Sequence, residues 1–220
     1  MKKQLLLLSF IAFSFLANAQ TKATFGAKAG ITSSSIKGDA ARSFNDLIGY
    51  TSGALTTKNK TGFFVGVNAN VPLDDVLSFE PGIYYSQKGY EMKGELSLPI
   101  AEFLSPNAKA SLTSNYIDIP VLLKANLNGF QVFAGPQLSY LAGADFKVTA
   151  GALGFNVYKN TLDATDQLNR WDMGITGGVG YQFGNVNISA AYDHGLMKAD
   201  ANENMDAYNR SFKVGLGINF

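Results

Sequence analysis

The feature that most constrains this chain is a period-two alternation, repeated in eight separate segments. Successive side chains of a β-strand point to opposite faces, so the alternation defines two faces per segment. Residues 208–220 put Phe212, Val214, Leu216, Ile218 and Phe220 on one face, and Ser211, Lys213, Gly215, Gly217 and Asn219 on the other. Residues 170–183 oppose Trp171, Met173, Ile175, Gly177, Val179, Tyr181 and Phe183 to Asp172, Gly174, Thr176, Gly178, Gly180 and Gln182. Residues 115–126 oppose Ile117, Ile119, Val121, Leu123 and Ala125 to Asp118, Pro120, Leu122 and Lys124. Weaker versions cover 24–33, 62–71, 77–90, 129–141 and 186–193. Most approach the ~9–11 residues that a tilted membrane strand needs.

The connections alternate in length. Pro72-Leu73-Asp74-Asp75, Leu127-Asn128 and Gly184-Asn185 are short and use turn residues. The other four, at about 35–61, 91–114, 142–169 and 194–208, are long and polar. Strict alternation of this kind is the plan of an outer-membrane barrel, with short periplasmic turns and long external loops. The expectation is an all-β fold: an eight-stranded antiparallel up-and-down transmembrane β-barrel with both termini on the periplasmic side.

Composition decides which face points outward. Only 16% of the 220 residues are charged, whereas ordinary soluble proteins reach roughly 25%. The non-apolar face is rich in glycine and too poor in charge to be a solvated exterior. Apolar side chains therefore meet lipid and polar ones fill the lumen. Phe25, Phe79, Phe130, Phe183 and Phe220 would form the periplasmic aromatic girdle, with Trp171, Tyr85, Tyr140 and Tyr192 nearer the outer interface. A net charge of +1 excludes a nucleic-acid binder, and the absence of cysteine excludes disulfides and thiolate-bound metal. No cofactor is expected.

Residues 1–20 read as an address. Lys2 and Lys3 precede an apolar stretch from Leu5 to Leu16, and Ala17-Asn18-Ala19 is a small-residue cleavage site. A secretory signal peptide over 1–19 is expected, with cleavage before Gln20 and the barrel domain over 20–220. The apolar stretch is shorter than the ~20 residues of a spanning helix. Lys2 and Lys3 leave with it, so the mature net charge becomes −1.

Eight strands enclose a lumen just wide enough to be filled by side chains. The inward set holds Lys28, Lys88, Lys124 and Lys213 beside Glu80, Asp118, Asp172 and Asp193. Four cations and four anions predict an ion-paired, plugged interior, because an unpaired buried charge costs several kcal/mol. The competing readings are a narrow ion path and a catalytic acid.

Other candidates carry less. His194, the one histidine, could pair with Asp193 at the external rim, as in a membrane-embedded hydrolase or acyltransferase, but no Gly-x-Ser-x-Gly nucleophile motif accompanies it. Asp200-x-Asn202-x-Asn204-x-Asp206 starts like a calcium loop, then places Met205 where glycine is required and Ser211 at the twelfth position. The glycines Gly174, Gly177, Gly178 and Gly180 lie inside a strand pattern and lack the Lys-Ser/Thr of a phosphate loop.

The segment Tyr116-Ile117-Asp118-Ile119-Pro120-Val121-Leu122-Leu123-Lys124 resembles the Ile-Pro strand of the PorT-type outer-membrane β-barrel family of Bacteroidetes. Gly135-Pro136-Gln137-Leu138-Ser139-Tyr140, Trp171-Asp172-Met173-Gly174 and Gly178-Val179-Gly180-Tyr181 resemble further strands of it, and Gly195-Leu196 also fits. The resemblance spans roughly 20–220 and implies an eight-stranded outer-membrane barrel without implying a specific activity. The terminal Phe220 resembles the C-terminal aromatic signal read by the barrel-assembly machinery. The expected protein is monomeric and non-enzymatic. It sits in outer-membrane lipid, has a structural or interaction role at the cell surface, and offers its external loops to any ligand. A narrow channel, a transport or secretion-associated barrel, and a rim enzyme are the alternatives.

Overall fold

The computed structural model describes residues 23–37, 55–95, 107–152, 155–201 and 206–220. The expected signal peptide over 1–19 lies outside the described residues. Among the described residues nine strands occur: β1 (Thr24–Lys37), β2 (Leu55–Pro72), β3 (Leu77–Glu95), β4 (Asn107–Leu127), β5 (Phe130–Ala152), β6 (Phe155–Asp163), β7 (Trp171–Phe183), β8 (Val186–Gly195) and β9 (Tyr208–Asn219). All pairings are antiparallel, and β4–β5 joins the two halves of the ladder. Eight strands thus seal a barrel, while β6 pairs with β5 alone among the described residues. Sealing pairs the backbone groups between strands, as hydrocarbon demands.

The register gives the barrel its tilt. A perpendicular row from Lys28 runs through Gly66, Tyr84, Asp118 and Ser139 to Asp172. In the other direction the row runs through Gly217 and Asn187 to Gln182. The two rows reach β7 ten residues apart. For eight strands with ~3.3 Å rise and ~4.8 Å spacing, that shear corresponds to a tilt of about 41°. Trp171 and Phe183, at opposite ends of β7, are then about 30 Å apart along the axis, the thickness of a hydrocarbon core.

The short turns follow local chemistry. Asn128 and Gly129 both have positive φ (53° and 93°), the requirement of a two-residue hairpin turn that matches strand twist. The turn residues are therefore Asn128-Gly129, one position beyond the expected Leu127-Asn128. At the β2–β3 turn, Asp74 Oδ1 accepts hydrogen bonds from the backbone N–H groups of Val76 (2.8 Å) and Leu77 (2.7 Å).

The other end departs from expectation. Much of the expected loops at 91–114 and 142–169 is strand: β3 runs to Glu95, β4 starts at Asn107, and β5 with β6 forms a hairpin up to Asp163. These extensions project past the aromatic band, where neither face must be oily, so the alternation fades although the ladder continues. One wall, β2 to β6, consequently stands taller than the wall formed by β7, β8, β9 and β1. Inside the tall end, Leu112, Tyr116, Leu141, Ala144 and Ala164 make a buried apolar cluster, flanked by Ile36, Tyr90, Phe146 and Leu168. The segment after β6 turns back into the mouth, with Ala164 N–H donating to Ala144 O and Leu141 N–H to Arg170 O.

Candidate functional site: a stratified polar lumen

The faces are sorted as lipid requires. Phe25, Ile31, Ile83, Leu123, Met173, Leu216 and Phe220 stand exposed on the outside, Phe220 at 71%. Ser86 and Asp118 are fully buried on the inside (0%). The tilted rings of Tyr140 and Trp171 meet with centroids 4.9 Å apart at one end of the outer face, and those of Tyr181 and Phe183 4.4 Å apart at the other.

The eight expected lumen charges fall into two clusters and one outlier. Near the short-turn end, Glu80 on β3 is bound by Lys124 of β4 and by Lys28 of β1 at 3.7 Å. Towards the other end, Asp118 of β4 is the hub. It pairs with Lys88 (2.8 Å) and Lys213 (3.1 Å), and accepts hydrogen bonds from the hydroxyls of Ser139 (2.6 Å) and Ser86. Lys213 also pairs with Asp193 at 2.6 Å, and Asp193 accepts the Thr176 hydroxyl at 2.9 Å. Asp172 stands apart. Its Oδ2 accepts a hydrogen bond from Asn209 Nδ2 at 2.8 Å, and its buried Oδ1 has no hydrogen-bond partner among the described residues.

Between the clusters lies a layer that sequence reasoning missed. Phe64, Tyr84, Leu122 and Phe133 are buried in the lumen. Phe64 and Tyr84 meet edge to face, with centroids 6.1 Å apart. Lys213 lies 5.8 Å from the Phe64 ring centroid and Lys28 lies 5.8 Å from that of Phe133, so each cluster sends a cation onto an aromatic face. Glycines of adjacent and next-but-one strands make room for the rings. A Cβ at Gly215 would sit 2.5 Å from Phe64, one at Gly66 2.6 Å from Tyr84, and one at Gly178 2.7 Å from Phe133. The signal was present in the sequence: Phe64 and Phe133 occupy the polar parity of their strands, and glycine recurs on that parity in the strands beside them.

Two voids lined by described residues lie within the lumen. One of about 50 Å3 lies between Lys28 and Lys213, walled by Phe64, Tyr84, Leu122 and Phe133. Another of about 10 Å3, room for one water, adjoins Asp172, Ser139, Asn209 and Ser211. A wider basin of about 320 Å3 opens at the short-turn end, bounded by Asn70, Asp74, Lys124, Asn126, Gln182 and Asn219.

The remaining sequence candidates are dispersed. Asp193 and His194 are adjacent in β8, so the carboxylate turns inward to Lys213 while the exposed imidazole shares the outer face with Tyr192. The acid–base pair considered at the rim is not formed. Asn202 and Asn204 of the calcium-like segment lie outside the described residues, and Asp206 pairs with Lys198 at 2.8 Å. The β7 glycines sit within a strand, not a phosphate loop. Phe220 closes the barrel by exchanging backbone hydrogen bonds with Phe25 (2.9 and 3.3 Å).

A sealed antiparallel sheet with an oily exterior and an ionic interior defines a transmembrane β-barrel. The sequence pattern of the outer membrane protein beta-barrel domain family matches residues 18–201, and the chain belongs to that family. Solved structures similar to it include Neisserial surface protein A from Neisseria, at 13% identity and a TM-score of 0.49, covering 91% of this chain and 100% of that one. Ail of Yersinia pestis has 13% identity and a TM-score of 0.45, with 91% and 100% coverage. OprG of Pseudomonas aeruginosa has 12% identity and a TM-score of 0.41, with 90% and 96% coverage. No curated protein matches the chain. It is an outer-membrane β-barrel protein.

Proposed function

We propose that this protein is a monomeric, non-enzymatic barrel of the cell surface, exported by a cleaved signal peptide over 1–19. Its lumen is a structural plug, and its tall wall is the part available for interaction. The observation that carries the reading is the Asp118 hub. A fully buried carboxylate held by two lysines and two hydroxyls fills the cross-section where a conducting path would have to run.

The PorT-type resemblance supplies a structural rationale for its most specific strand. Tyr116, Asp118, Leu122 and Lys124 furnish the apolar cluster, the hub, the ring layer and the short-turn cluster in turn. One strand thus contributes to every level of the plug. The short hairpins face the periplasm in this reading, and the tall wall faces outward.

Planar-bilayer recording on the refolded full barrel tests the plug. Silence is expected, with small conductance steps appearing only when Asp118, Phe64 and Phe133 are truncated together. Steady ion conductance by the unmodified protein would favour the channel reading instead.

A further inference from the structure

The lumen charges balance by number, four lysines against four acids, yet not by place. Near the short-turn end, Glu80 faces both Lys28 and Lys124. At the other end three acids, Asp118, Asp172 and Asp193, have Lys88 and Lys213 between them. The layer of Phe64, Tyr84, Leu122 and Phe133 separates the two groups, so the extra lysine of one does not serve the other. The short-turn group opens through Lys124 to the 320 Å3 basin, where ions from solvent balance it. The Asp118 group is one positive charge short, on the far side of the ring layer from that basin.

Asp172 is the acid left over. It is 5% exposed, and among the described residues it is the one buried acid without an ion pair. Its donors are neutral: Asn209 Nδ2, at 2.8 Å from Oδ2, and the Met197 backbone N–H. Oδ1 is buried without a hydrogen-bond partner among the described residues. The cations of this end are engaged elsewhere. Lys88 sits 2.8 Å from Asp118, and Lys60 donates to Ser111 Oγ at 3.3 Å. Arg210 donates to Gly195 O, and the His194 ring faces outward beside Tyr192. Asp172 lines the void of about 10 Å3 together with Ser139, Asp193, Asn209 and Ser211. That void takes one particle of about water size, and its wall offers hydroxyl, amide and carboxylate oxygens. A water alone would leave the carboxylate without a counter-charge, which is costly in a buried site. Hard cations take such oxygen ligands. Among the described residues no group of three or more acid, histidine or cysteine side chains converges, so the one missing charge and the one unpaired carboxylate suit a monovalent ion.

We propose that this void binds one sodium ion, held by Asp172 Oδ1 and by oxygens of Ser139, Ser211 and Asn209. The ion supplies the charge that the Asp118 group lacks. This goes beyond the structural plug: it makes the stability of the barrel depend on a particular solute. It depends neither on which end faces the cell exterior nor on whether the lumen conducts, and planar-bilayer recording tests the latter separately.

Urea unfolding of the full barrel in zwitterionic lipid vesicles tests it, with sodium exchanged for tetramethylammonium at constant chloride and ionic strength. Each tenfold rise in sodium above its dissociation constant is expected to raise the folded-to-unfolded ratio about tenfold, as one bound ion requires. Asp172→Asn keeps the shape, removes the charge and is expected to abolish the dependence. Ser211→Ala should shift the dependence to higher sodium. Glu80→Gln, in the other group, should leave it unchanged. A folded-to-unfolded ratio of the unmodified protein that ignores sodium overturns the proposal, and leaves the void to water or the carboxyl to a proton. An equal dependence in Asp172→Asn overturns it too, because the ion would then lie elsewhere. So does loss of the dependence in Glu80→Gln, which would mark a diffuse effect of charge. If Asp172→Asn does not refold, the Ser211→Ala titration decides, and one identical to that of the unmodified protein counts against the site.

Discussion

The two ionic clusters of the lumen contain similar residues in different settings. Glu80 serves two lysines, and one of these, Lys124, borders the 320 Å3 basin at the short-turn end. Asp118 also serves two lysines, but with two hydroxyls in addition, beneath the apolar cluster of Leu112, Tyr116 and Leu141. The first cluster lies open to bulk water through Lys124, whereas the void beside the second has room for one water. Loss of one partner is therefore mild near water and severe away from it, because the penalty comes from the charge left behind.

The sharpest way to break this comparison is to remove the hub. Asp118→Ala strands Lys88, and it leaves Lys213 with Asp193 alone. A loss of about 3–5 kcal/mol is expected by urea unfolding in lipid vesicles. Glu80→Ala removes the same kind of group where water can enter, so about 1–3 kcal/mol is expected. Equal losses would show that the basin does not relieve the lower cluster.

The layer between the clusters gives a third test. Gly215→Val drives a side chain into the Phe64 ring and is expected to cost about 1–3 kcal/mol by overpacking. Combining it with Phe64→Ala should restore part of that loss. Additive losses in the double variant would mean that the ring does not depend on the glycine.

The smallest effect is expected at the short-turn end, outside the membrane. Two backbone N–H groups, of Leu77 and Val76, hold the Asp74 carboxyl below the usual carboxylate range. With a depressed folded-state value, its contribution is complete above about pH 4, the unfolded value. It fades as pH falls through the folded value. Asp74→Ala should lower the neutral plateau slightly and leave stability at the lowest pH unchanged, so that the acid limb flattens. An unchanged acid limb would remove Asp74 from the turn's energetics.

The sequence made the spanning strands legible because a barrel wall in lipid must be oily on every second residue. Phe212 to Phe220 could be assigned to a face from period alone. The same rule hid β6 and the upper parts of β3, β4 and β5: beyond the lipid no face has to be apolar, so Lys147, Thr149, Lys159 and Thr161 read as loop. The lumen charges were legible by parity, since Lys28, Glu80, Asp118 and Lys213 share the inward phase. Their division was not, because parity carries no height and the separating layer needs Phe64 and Phe133 on the polar phase. The solitary position of Asp172 depends on the reach of Lys88, which bends to Asp118 instead.

The most direct measurement exploits the absence of cysteine. Single cysteines placed in turn at positions 213 to 218 of β9 can be spin-labelled in a bilayer, and their exposure to oxygen and to a water-soluble nickel chelate recorded. Labels at 214, 216 and 218 should collide freely with oxygen, and those at 213, 215 and 217 should be shielded from it. The opposite phase, or no alternation, would contradict a barrel whose oily residues face lipid and whose ions fill the centre.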